Sequence, residues 1–334
     1  MTLAGPGRDR AKARADSFKT HGRNPPTVGR MGFIDDDVTG RAWRFLWTSG
    51  RVLDQRMFAF LFGGEAGPEG VLAALAAYRS PDGGYAYGLE PDVRGPASQP
   101  VTVPAALRAL ETAGALGGPE ALRICGWLAG CTAPDGGVPA VLPSLRPYPH
   151  PPWLTVPDAP AGSLLATGQI AGLLLRAGIS HPWLGPAAEF CRDAIENLEH
   201  THPYEAEAAV EFLDSSPDKT WALGQAKRLG GVVREQRIVL LDPERPEEAR
   251  IASGYAPGEY HLAHDYARRP DSLARAWFTD AEMDRSLRYL ADSQQSDGGW
   301  PVRWAEWSPT VHAESRPGVT LTALQILRAY ERTG

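Results

Sequence analysis

The chain has 334 residues, 43% hydrophobic and 22% charged, an ordinary composition for a globular protein able to bury a sizeable core. A net charge of −6 argues against nucleic acid as a partner, and no apolar run reaches the roughly 20 residues a membrane span needs. The first residues lack the apolar stretch of a signal peptide, so a cytoplasmic location is expected.

Residues 1–30 are polar, with basic residues from Arg8 to Arg30, and are expected to be a flexible or loosely docked segment ahead of a single domain over 31–334. Asp35, Asp36 and Asp37 suit a helix-capping run. From Arg41 to Phe62 the chain is apolar and aromatic around much of a helical circumference (Trp43, Phe45, Trp47, Met57, Phe58), as expected of a helix buried inside a larger assembly. A shorter helix is expected from Pro68 to Tyr78. Further helical patterns cover 100–113, 120–128, 162–177, 186–198, 205–213, 219–229, 281–295 and 319–331. Long alternating strand patterns are absent, with Ile238–Leu241 the one short candidate. Cys125, Cys131 and Cys191 lie in apolar helical surroundings and read as small buried hydrophobes rather than disulfide partners.

One tripeptide organises this series. Asp-Gly-Gly stands at Asp82-Gly83-Gly84, Asp135-Gly136-Gly137 and Asp297-Gly298-Gly299, each time after an apolar helix; the first interval is 53 residues and the second is 162, three times 54. Asp suits a turn, and the glycines tolerate positive φ where the chain doubles back. The motif is missing near 189 and 243, where the period calls for it. Six such units of helix, turn and helix account for nearly all of the chain, and their apolar helices at 41–62, 100–113 and 162–177 favour a closed ring over an open stack. The expectation is an all-α fold, an (α/α)5–6 toroid with a central cavity.

Gln294-Gln295-Ser296-Asp297-Gly298-Gly299-Trp300 resembles the Gln-x-x-x-Gly-x-Trp turns of the terpenoid-cyclase and protein-prenyltransferase toroids, and the turns at 80–85 and 133–138 resemble them in part, without the Gln and Trp. The resemblance implies a small-molecule isoprenoid substrate in the central cavity and acid-initiated cyclisation. The families' catalytic motifs have no match: Asp35-Asp36-Asp37 has the spacing neither of Asp-x-Asp-Asp nor of Asp-Asp-x-x-Asp, and no cysteine has the neighbour that a prenyltransferase zinc site needs. The same turn is similar to those of pectate-lyase-like toroids. This makes a carbohydrate-active enzyme, a lyase or epimerase acting on an oligosaccharide, the alternative, and a non-catalytic binding scaffold a third.

Candidate site residues fall in three stretches. Tyr85, Tyr87, Glu90, Asp92 and Arg94 occupy a loop expected at one mouth of the cavity, where a carboxyl with a raised pKa can serve as a general acid. His261, His264 and Asp265 suit acid–base work, or with Glu259 a divalent metal, although no specific metal signature is present and no cofactor is firmly implied. Trp304 and Trp307, with Trp47, are candidates for a cavity wall that stabilises a carbocation or stacks on a sugar.

Overall fold

A computed structural model describes residues 32–64, 67–253, 255 and 258–331; the segment expected over 1–30 lies outside them. Among the described residues are twelve α-helices: α1 (Asp36–Ser49), α2 (Val52–Phe62), α3 (Glu69–Ala76), α4 (Val103–Thr112), α5 (Pro119–Cys131), α6 (Leu164–Arg176), α7 (Leu184–Glu196), α8 (Pro203–Ser215), α9 (Lys219–Glu235), α10 (Ala263–Tyr266), α11 (Asp280–Asp292) and α12 (Pro309–Glu331). They alternate between an outer and an inner layer. The inner helices α2, α4, α6 and α8 follow one another side by side, α8 meets α10, and α12 packs on both α1 and α2 to join the last repeat to the first. The architecture is an α/α toroid. No strand forms among the described residues; the Ile238–Leu241 candidate contributes one isolated bridge, between Leu240 and Leu262.

The three Asp-Gly-Gly turns are built alike. Gly83, Gly136 and Gly298 have φ of 96°, 89° and 94°, where any side chain is strained. The Asp carboxylate of each turn accepts the backbone N–H of the second glycine, at 2.9, 3.0 and 3.0 Å. The next residue, Tyr85, Val138 or Trp300, is fully buried and is gripped by a buried threonine of the following segment. Thr102 donates to the Tyr85 carbonyl at 2.8 Å, Val138 N–H donates to Thr167 at 2.9 Å, and Trp300 N–H donates to Thr320 at 3.0 Å. Each turn rests on an outer helix of the next repeat: Gly84 against Trp127 of α5, Gly137 against Phe190 of α7, and Gly299 against Phe45 of α1. The third contact carries the last repeat onto the first, and the Ile34 N–H donates to Glu331 at 2.5 Å beside it.

One expectation needs correction. The apolar stretch Arg41–Phe62 is two helices, not one inner helix. Gly50 stops α1 in extended backbone, its N–H bonded to the Leu46 carbonyl at 2.9 Å, and Asp54 caps the start of α2. Only α2 reaches the interior; Trp43 and Trp47 on outer helix α1 are 51% and 43% exposed. Around Gly258–Arg275 the inner helix α10 is a single turn, reached by a long excursion after α9 and followed by a 3-10 turn at Leu273–Trp277. The excursion contains position 243, one of the two places where the Asp-Gly-Gly motif is missing; the other, 189, lies within α7. Asp35 does cap α1, its carboxylate accepting Val38 N–H at 2.8 Å, and the three cysteines are free thiols.

Closure of the ring through Gly298 is testable. A Cβ there would lie 2.2 Å from the Arg41 carbonyl oxygen, on top of the positive φ, so Gly298→Ala is expected to cost about 2 kcal/mol or more. Gly126, exposed on α5 with nothing near its missing Cβ, is expected to become neutral or slightly more stable as Ala. Chemical denaturation of the two variants checks both.

Candidate functional site

The inner helices surround a cavity of ≈ 520 Å³, within the range of small-molecule sites. Its wall has two characters. Met57 of α2, Val101 and Ala105, Leu165 of α6, and Val319 and Ile326 of α12 give an apolar side. From α8, from α10 and the residues just before it, and from the segment before α12 come Tyr204, Glu207, His261, His264, Asp265 and Arg303.

The polar side is a set of neutralised pairs. Arg303 grips Asp265 through both carboxylate oxygens, at 2.7 and 2.8 Å, and Leu262 N–H donates to the same carboxylate at 2.8 Å. Burial opposes ionisation of Asp265, but Arg303, His264 and His261 outweigh it and hold the carboxyl well below the usual range. Arg268 and His261 both reach Glu207, each at 2.6 Å. His264 is fully buried, with Nδ1 2.7 Å from Ser286 Oγ and Nε2 3.6 Å from Asp265. Burial lowers its pKa to about 4, so the imidazole is neutral at pH 7.

Glu90 lies at the other end of this electrostatic range. It lines the cavity in the loop between α3 and α4, and that loop is tied down by Arg51, which donates to the Gly88 and Leu89 carbonyls at 2.8 and 3.1 Å. Burial, then the charge of neighbouring Asp92, raises the Glu90 carboxyl to about 7 against the pull of Arg51 and Arg94. Asp92 accepts the Trp307 indole N–H at 2.7 Å, and Arg94 pairs with Glu314 at 2.7 Å, so both fasten the loop to the segment around α12. Burial raises the Asp92 carboxyl too.

The structure therefore gathers Glu90, His261, His264, Asp265 and Trp304 around one cavity, with Asp92, Arg94 and Trp307 bracing its rim. Three of the sequence candidates lie elsewhere. Tyr85 is core, its hydroxyl donating to Glu120 at 2.9 Å; Tyr87 is 49% exposed at φ 59°; Trp47 is on the outer surface. Among the described residues no group of three or more His, Cys, Asp or Glu is arranged to hold a metal ion. Sequence reasoning missed Arg51, Arg108, Tyr204, Glu207 and Arg268. The signal was present on α8, where Tyr204, Glu207, Glu211 and Asp214 recur at helical spacing along one face.

An all-helical toroid with an amphipathic cavity defines the class of protein, and solved structures agree. A protein from Actinoplanes matches with a TM-score of 0.56 at 17% identity, over 88% of this chain and 99% of that one. The type II terpene cyclase MstE from Scytonema matches with a TM-score of 0.53 at 13% identity, over 88% of this chain and 98% of that one. A variant of MstE in complex with geranylgeranyl dihydroxybenzoate, its substrate, matches at 0.51 and 13% identity, over 88% and 97%. These likenesses establish a terpene-cyclase-like fold. No family model and no curated protein matches the chain.

Breaking the Arg303–Asp265 pair leaves a cation facing the cavity with its partner gone. Asp265→Asn is expected to destabilise by about 2–3 kcal/mol, less than for a wholly buried pair because the Arg303 side chain is 29% exposed. Asp158→Ala, at a surface pair whose aspartate is 94% exposed, should stay within about 0.5 kcal/mol. Thermal unfolding separates the two.

Proposed function

We propose that the cavity binds an isoprenoid chain and that Glu90 initiates its cyclisation by protonating an alkene. The observation that carries this reading is a carboxyl raised to about 7 on the wall of a cavity that also carries apolar side chains, inside a fold like that of a cyclase acting on a geranylgeranyl compound. The proton passes from the Glu90 carboxyl to one alkene carbon, and the π pair forms the new C–H bond. The cation left on the other carbon is attacked by the next double bond, closing a ring. Loss of a proton from the final cation to a cavity base or water returns the balance. A carboxyl with a raised pKa is a weaker acid in the resting site. The carboxylate formed, however, faces the substrate cation it has created, and the charges of Arg51 and Arg94 already favour it. Trp304 on the wall can stabilise the cation through its ring face.

A second reading, an oligosaccharide ligand, is favoured by the polar side formed by Tyr204, Glu207, His264 and Arg303. Its test shares the apparatus of the first.

Glu90 sets the pH dependence. Its carboxyl is protonated below about 7 and ionised above, so cyclisation should fall as pH rises through about 7. The same raised pKa means the folded chain binds a proton more tightly than the unfolded one, so this group's contribution to stability declines as pH rises from about 4.5 to about 7. Incubation with farnesol, geranylgeraniol or squalene in heavy water should give a cyclic product carrying one solvent deuterium. Glu90→Gln should reduce turnover by about 100-fold or more while leaving binding in place. Stabilisation by oligosaccharides alone, with no effect of any prenyl compound, would transfer the assignment to the second reading.

A further inference from the structure

The cavity wall carries four arginines, and each is already matched to a carboxylate: Arg51 to Asp54 at 3.1 Å, Arg108 to Glu211 at 3.1 Å, Arg268 to Glu207 at 2.6 Å and Arg303 to Asp265 at 2.7 Å. No lysine lines it. Of the seven carboxyl groups on the wall among the described residues, Glu314 and Glu111 are paired in turn with Arg94 and Arg176, which lie outside it. A phosphate or diphosphate placed here would have to take a cation from an existing pair.

One polar atom on this side is unsatisfied. His264 Nε2 is buried with no hydrogen-bond partner, since Asp265 Oδ1 at 3.6 Å is beyond hydrogen-bond range. Its protonation state follows from Ser286. That hydroxyl oxygen accepts the His264 backbone N–H at 3.1 Å and lies 2.7 Å from Nδ1, which is the acceptor within reach of the serine proton. With Ser286 donating to Nδ1, the ring proton sits on Nε2, on the edge of the imidazole away from α11. A buried donor without an acceptor costs stability in the empty protein, and a ligand oxygen would recover it.

We propose that this side of the cavity is a subsite for an uncharged oxygen, a hydroxyl or carbonyl at the head of an apolar chain, which accepts from His264 Nε2–H, and that the cavity rejects phosphorylated heads. This rests on the isoprenoid reading and names the substrate class within it. The low pKa of His264 fits, because a neutral imidazole offers a hydrogen bond without attracting an anion.

Fluorescence quenching of the cavity tryptophans, Trp300 and Trp304, gives the affinities of three probes: geranylgeraniol, geranylgeranyl diphosphate and the corresponding hydrocarbon without the hydroxyl. The alcohol should bind at least about tenfold more tightly than the diphosphate. In His264→Leu it should lose about tenfold while the hydrocarbon loses nothing, and His264→Gln, which keeps a donor near the same place, should restore most of the loss. Circular dichroism melting of each variant confirms that it is folded. A diphosphate that binds as well as the alcohol, or an alcohol whose affinity ignores His264→Leu, overturns the subsite and leaves the isoprenoid reading standing. Failure of all three probes to bind the wild-type protein removes both.

Discussion

Everything inside this molecule depends on a glycine lying against a carbonyl. At Gly298 the chain turns back with no Cβ, close enough to Arg41 that the final repeat seats on the first outer helix, and Gly299 beside it accepts the Phe45 ring. The same contact recurs at Gly84 with Trp127 and at Gly137 with Phe190, so the closure is one more instance of the joint that links successive repeats. A stack of helical hairpins without that last joint would leave its inner faces open to water. With it, they face one another across a cavity, and the groups they carry leave bulk solvent.

That enclosure explains why charge pairing is so thorough on the inner surface. Taking a carboxylate or guanidinium out of water costs several kcal/mol, recovered only by a well-placed partner with its remaining hydrogen bonds satisfied. Asp265 meets this condition through Arg303 and the Leu262 N–H, and Glu207 through Arg268 and His261. Glu90, to which no side-chain cation among the described residues is hydrogen-bonded, shows the other solution, a carboxyl that keeps its proton to higher pH. Two carboxyl groups of the cavity are thus held in different ways, Asp265 ionised beside its cation and Glu90 keeping its proton to higher pH. The first is suited to hold structure and the second to release a proton.

How much of this was legible in the chain differs by level. The Asp-Gly-Gly turns announced a ring because their chemistry is local: a carboxylate two residues from the N–H it accepts, and a glycine at positive φ. The threonines that complete each joint, Thr102, Thr167 and Thr320, were silent, since their partners lie 17, 29 and 20 residues away at no fixed interval. Glu90 was marked by its place in a loop before an inner helix, and it lines the cavity. Trp47 was misleading because an aromatic-rich stretch looks the same whether it forms one buried helix or an outer and an inner one split at Gly50. The α8 face bearing Tyr204 and Glu207 was present as a 3–4 spacing, but its partners on α10 and before α12 are remote in sequence. Only the folded ring shows that the charges cancel.

The central claim is that the closed cavity is where an apolar chain binds, with its head towards the polar side. A crystal structure of the protein with geranylgeraniol would test it most directly. The account predicts continuous density inside the ring, with the chain along Met57, Leu165 and Ile326 and the hydroxyl beside His264. Ligand density on the outer helices around Trp43 and Trp47, with the cavity unchanged, would contradict it.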